Sequence, residues 1–72
     1  MKYERIKALR EDHDRRQQEL ADYLHLTRSG YSNYENGIRE VPLEVLSALA
    51  DYYHTSVDYL IGRTDEPRPY AK

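Results

Sequence analysis

Arg28, Ser29, Ser32, Asn33 and Asn36 place five hydrogen-bonding side chains within nine consecutive residues. On a helix each residue advances about 100°. With Arg28 at zero, Ser32 falls near ~40°, Asn36 near ~80°, Ser29 near ~100° and Asn33 near ~140°, all on one arc. Gly30, Tyr31 and Tyr34 occupy the opposite arc, between roughly 200° and 300°. An exposed helix normally shows solvent a mixture of Lys and Glu, whereas these groups suit the polar edges of bases. Arg forks onto guanine O6 and N7, Asn onto adenine N6 and N7, and Ser is more permissive. The arc alone fits a solvated face over a core face equally well, so its surroundings decide.

Other chemistries have weaker support. His13, His25 and His54 are scattered without ligand-like spacing, and Asp12-His13-Asp14 reads as a solvated loop rather than a metal site. No Ser/His/Asp or Cys/His arrangement, glycine-rich phosphate loop or paired buried carboxylate is apparent. No enzyme activity, cofactor, metal or small-molecule ligand is expected. The chain has no Cys, which suits a reducing cytoplasm. It has no apolar run long enough to span a bilayer and no apolar leader segment.

Seventy-two residues suffice for one domain. Without Trp or Phe, the eight Tyr must supply the large rings of the core, and each buried hydroxyl then needs a partner or a route to water. The net charge of −2 opposes nucleic-acid binding, but binding depends on one face. Residues 40–62 carry Glu40, Glu44, Asp51 and Asp58 without Lys or Arg, whereas residues 15–39 carry Arg15, Arg16, Arg28 and Arg39 against Glu19, Asp22 and Glu35. Acidity therefore gathers in the C-terminal part, which would have to face away from a duplex.

The periodicity predicts five short helices and no strand. The first covers Tyr3 to Glu11, with Tyr3, Ile6 and Leu9 on an apolar stripe that Arg10 shares. Asp14 with Gln17 three residues on fits a capping-box spacing, and the second helix buries Leu20, Ala21 and Leu24. Thr27 is a plausible N-cap for the third, and Asn36-Gly37 ends it. Pro42 suits the first turn of a fourth helix carrying Leu43, Leu46, Leu49, Ala50 and Tyr53. Thr55 or Ser56 starts a fifth with Val57, Leu60 and Ile61, and Gly62 stops it.

Three segments then coincide. Gln17 through Leu24, the ending Tyr34-Glu35-Asn36-Gly37, and Ser56 through Arg63 together resemble the phage Cro/repressor-type (xenobiotic-response-element type) helix-turn-helix family. The resemblance covers about residues 3–63. It implies an all-α, compact five-helix, repressor-like DNA-binding domain over residues 1–63, with helices 2 and 3 forming the helix-turn-helix. Residues 64–72, with two prolines and no apolar period, read as a flexible tail. Arg28, Ser29 and Asn33, with Ser32 alongside, are then expected at base edges, and Gln17, Asn36, the amide of Gly37 and Arg39 near phosphates. Arg10 and Glu35, both at the edge of apolar stripes, are expected to pair, which the resemblance also implies.

The chain departs from the family at three places. His25 stands where the family often has Gly in the turn, and His tolerates a positive φ better than most residues. Arg16 replaces the usual Ser or Thr cap, so helix 2 is expected to begin from Asp14. Gly30 inside helix 3, about 1 kcal/mol worse than Ala, either permits close approach to DNA or is simply tolerated.

The resulting expectation is a cytoplasmic, sequence-specific transcriptional regulator that reads double-stranded DNA in the major groove. The alternative is a small helical protein-interaction module, antitoxin-like or polymerase-binding, without specific DNA binding. One such face is too weak alone, so a homodimer is expected through Val57, Tyr59, Leu60 and Ile61, with Tyr52 or Tyr70 extending the patch.

Overall fold

The computed structural model describes residues 2–69. Its helices are α1 (Glu4–Asp12), α2 (Gln17–Tyr23), α3 (Arg28–Glu35), α4 (Leu43–Tyr52) and α5 (Val57–Leu60), with no strand among the described residues. α2 packs on α3, α4 on α5, and α1 spans both pairs through contacts to α3 and α5. Ile6, Leu20, Tyr31, Leu49 and Leu60 are buried where these elements meet.

Short helices leave many carbonyls without partners, and this chain treats all five C-termini alike. One residue past each cap adopts a left-handed conformation: Asp14 (φ 55), His25 (φ 59), Gly37 (φ 75), His54 (φ 55) and Gly62 (φ 84). The residue after it then donates its N–H back across the last turn. Arg15 bonds the Arg10 carbonyl at 2.9 Å, Leu26 that of Ala21 at 2.8 Å and Ile38 that of Asn33 at 2.9 Å. Thr55 bonds Ala50 and Arg63 bonds Asp58, each at 2.8 Å. This is the Schellman closure. Gly37 also needs its bareness, since a Cβ there would lie 2.8 Å from the Lys2 Cβ.

That closure corrects the expected start of α2. Asp14 belongs to the end of α1, and α2 begins at Gln17 with Arg16 as an N-cap whose side chain accepts no bond. Glu19 compensates in part, its Oε1 accepting from the Arg16 N–H at 3.4 Å. Hydroxyl caps serve α3 and α5: Thr27 Oγ1 accepts from the Gly30 N–H and Ser56 Oγ from the Tyr59 N–H, both at 3.0 Å. Pro42 is the N-cap of α4 rather than a residue of its first turn, and Leu43 is 67% exposed, not part of the core face.

The segment after α5 is held on the body as far as residue 67. Arg5 Nη1 donates to the carbonyls of Tyr59 (2.9 Å) and Thr64, and Nη2 donates to Asp65 Oδ1 at 2.6 Å. The same guanidinium lies 4.1 Å from the Tyr59 ring centroid, and Thr55 Oγ1 donates to the Pro67 carbonyl at 2.6 Å. The composition of residues 64–72 reads as a free tail because three of these bonds, to Tyr59, Thr64 and Pro67, use backbone carbonyls, which no side-chain pattern records. Tyr70 lies outside the described residues.

Candidate nucleic-acid interface

Thr27 starts α3 so that Arg28 and Ser29 occupy its first turn, one turn before Ser32 and Asn33. Tyr31, from the opposite arc, and Glu35, at the border between the arcs near ~340°, are both buried, which fixes α3 rotationally and turns the polar arc outward. Arg28, Ser29, Ser32 and Asn33 together line a polar cleft of about 170 Å³. Pockets for small molecules run to about 300–1,000 Å³, so this cleft suits the edge of a base better than an enclosed ligand. Among the described residues nothing hydrogen-bonds the side chains of Arg28, Ser29 or Asn33. Ser32 Oγ accepts from Asn36 Nδ2 at 3.1 Å, and that bond joins the last turn of the arc to its middle.

The missing Cβ of Gly30 leaves room for the α3 cap, since an added Cβ would lie 3.1 Å from Thr27 Oγ1. The Gly37 amide, expected near phosphate, instead donates to the Tyr34 carbonyl at 3.2 Å as part of the helix ending. Arg39 and Asn36 are exposed and Gln17 is half-buried. No ion pair engages Arg28 or Arg39 among the described residues. The acids nearby are occupied: Glu19 lies 3.3 Å from Arg15 and 3.8 Å from Arg16, and Asp22 accepts from Gln18 at 2.8 Å.

Behind the arc lies a charged network. Arg10 Nε donates to Glu35 Oε2 and Arg10 Nη2 to Glu35 Oε1, both at 2.9 Å, the two-pronged geometry of a strong Arg–carboxylate pair. Glu35 is 1% exposed and the Arg10 side chain 13%. Gln17 Nε2 adds a third bond to Glu35 Oε1 at 3.3 Å, and Arg10 Nη1 donates to the Arg15 carbonyl at 2.9 Å. Burial alone would raise the Glu35 pKa, but bonds to Arg10 and Gln17 outweigh it and hold the carboxyl below its usual range. The bond to Glu35 correspondingly raises Arg10. The buried Tyr31 hydroxyl makes no hydrogen bond of normal geometry, although its proximity also favours the charged form of Glu35. Burial pushes the Tyr31 and Tyr53 hydroxyls up, so both stay neutral.

The residues expected at a dimer interface divide. Leu60 is 1% exposed and belongs to the core of the subunit, so it leaves that set. Val57, Tyr59 and Ile61 are half-buried, with Tyr59 beneath Arg5. The larger exposed apolar side chains are elsewhere: Ile38 at 71% and Leu43 at 67% flank the α3–α4 loop. Leu43 shares the helical spacing of Leu46 and Leu49, but as the first residue of α4 it lies at the end of the apolar stripe and stays exposed.

Two helices packed together and joined by a tight turn, the second presenting an outward polar arc, have the arrangement of a helix-turn-helix. The helix-turn-helix family matches over residues 6–60. Three relatives come from Bacillus subtilis (strain 168). The uncharacterized HTH-type transcriptional regulator YobD is 38% identical over 66 residues, covering 92% of this chain and 59% of its own. The HTH-type transcriptional regulator AnsR is 40% identical over 63 residues, covering 88% and 54%. The SPbeta prophage-derived uncharacterized HTH-type transcriptional regulator YonR is 39% identical over 61 residues, covering 85% and 56%. No solved structure matches the chain. The chain belongs to the Cro/C1-type helix-turn-helix family of DNA-binding transcription regulators. It spans between 54% and 59% of the length of these relatives.

Proposed function

We propose that this chain is a repressor-like, sequence-specific regulator that inserts α3 into the major groove of an operator. Arg28 and Asn33 carry most of the base reading, with Ser29 and Ser32 as adaptable contacts. Gln17, Asn36 and Arg39 position the subunit on phosphates, while the Gly37 amide is already engaged in the helix ending. The observation that carries this reading is the joint lining of one outward polar cleft by Arg28, Ser29, Ser32 and Asn33. Three of these side chains have no hydrogen-bond partner among the described residues. Such donors and acceptors remain available to a base.

The protein acts in the cytoplasm as a symmetric homodimer, without catalytic activity or a cofactor. One α3 reads only a few base pairs, and the interface offers few cations, so a single subunit competes poorly with bulk DNA. Pairing through Val57, Tyr59 and Ile61 doubles the contacts, with half-sites about 34–36 Å apart. Selection of binding sites from random duplexes tests both claims, and a recovered palindrome supports them. Absence of binding even at low salt would favour a protein-interaction module, because phosphate attraction alone should be visible there. Sedimentation with and without the selected duplex tests the dimer. A monomer on a single asymmetric site would refute it.

A further inference from the structure

Glu35 is the only carboxylate among the described residues that is both buried and bonded from two other helical segments. An ionised carboxylate only accepts, so the Gln17 side chain must present its nitrogen to Glu35. That removes the usual ambiguity of a glutamine amide. One N–H of Gln17 is thereby engaged inward, and the second N–H is the donor left for an outside anion. The carboxylate cannot swing to release this amide, because both its oxygens are held by the Arg10 fork at 2.9 Å. The third prong of Arg10 holds the Arg15 carbonyl, two residues ahead of Gln17, so the backbone leading into α2 is fixed by the same group.

We propose that Glu35 is a positioning residue for DNA binding: through its bond to Gln17 and through Arg10 it sets the Gln17 side-chain amide for a DNA phosphate oxygen. This rests on the reading of Gln17 as a phosphate contact. A free glutamine loses its rotamer freedom when it binds. Here much of that freedom is lost on folding, so less is lost at the encounter with DNA. The last turn of α3 therefore serves the contact made by α2, and the two helices engage the duplex in a fixed relation.

The experiment is a double-mutant cycle on affinity for the selected duplex, with Gln17→Ala, Glu35→Gln and the pair together, measured well below every melting point. Gln17→Ala weakens binding roughly tenfold, as loss of a bond to a charged group should. Glu35→Gln weakens it by a similar factor, and the double variant is no weaker than the worse single variant. Full additivity, or wild-type affinity in Glu35→Gln, overturns the positioning role while leaving the phosphate contact intact. Wild-type affinity in Gln17→Ala overturns the phosphate contact itself, and DNA reading by α3 survives. Should Glu35→Gln fail to fold, side-chain relaxation in the free wild-type protein decides. The Gln17 amide is then as ordered as the backbone, near an order parameter of about 0.85, and a value below about 0.6 overturns the proposal.

Discussion

Between α1, α2 and α3 the subunit buries a charged network, whereas between α4 and α5 it buries apolar side chains and the hydroxyl residues Thr55 and Ser56. Apolar packing is tolerant of small rotations, because its attraction has no direction. The Arg10–Glu35 fork has direction, and it ties a helix that touches no expected base to the end of the helix that does. A helix that reads base edges must be oriented to within a fraction of a side chain, and the two-pronged buried ion pair lies in the half that carries α3. The acidic α4–α5 half carries Glu44, Asp51 and Asp58, away from that arc in sequence.

The sharpest way to break this contrast is to remove one partner of the pair. Glu35→Ala should destabilise by about 3–5 kcal/mol, since an unpaired buried Arg10 remains. Converting both residues to apolar groups, Arg10→Met with Glu35→Leu, should cost less than either single change. Urea melts of Glu35→Ala, the two single apolar variants and the double check this, and a double variant less stable than both singles would show that the charges themselves supply the stability. The pH dependence follows in sign. Glu35 titrates below its unfolded value of about 4.3, so its contribution is complete above that value and is lost as pH falls through the folded one. Acid melts of wild type should show that loss, and Glu35→Gln should show less of it.

A medium effect separates base reading from attachment. Asn33→Ala should lose about 1–3 kcal/mol at one operator position only. Arg39→Ala should weaken all duplexes alike and reduce the slope of log affinity against log salt by about one. Titrations on single-substitution operators at several salt concentrations distinguish the two. If Asn33→Ala weakened every operator equally, it would join the phosphate contacts.

The smallest effect tests the helix endings, which are common to both halves. His54 holds φ 55 after α4, and a left-handed backbone costs a non-glycine residue about 1 kcal/mol or more. His54→Gly should therefore raise the melting temperature by several degrees, at about 4–8 °C per kcal/mol for a domain of this size. DNA affinity should not change. A lower melting temperature would mean that the imidazole makes contacts worth more than the strain.

Element types were legible because short apolar stripes at helical spacing leave few alternatives, and the hydroxyl caps at Thr27 and Ser56 announced their helices. His25 was legible as a positive-φ position because the resemblance supplied a glycine there. Asp14 and His54 adopt the same conformation but carried no such signal, since neither is a glycine. Asp14 misled for a physical reason: aspartate suits both an N-cap and a left-handed turn, and only the Arg15 bond back to Arg10 decides between them. The polar arc of α3 followed from angular arithmetic alone. The Gln17–Glu35 bond did not, because a contact between residues 18 apart depends on how α2 crosses α3.

If the outward arc of α3 reads bases, rather than merely attracting phosphate, the affinity lost with one of its side chains depends on sequence. Affinities of wild type and Arg28→Ala, each measured on the selected operator and on a scrambled duplex at one salt concentration, test it most directly. The expected result is a loss of about 1–3 kcal/mol on the operator, roughly 5- to 150-fold, with a much smaller change on the scrambled duplex. An equal loss on both would make Arg28 a phosphate contact and rule out base reading by this residue.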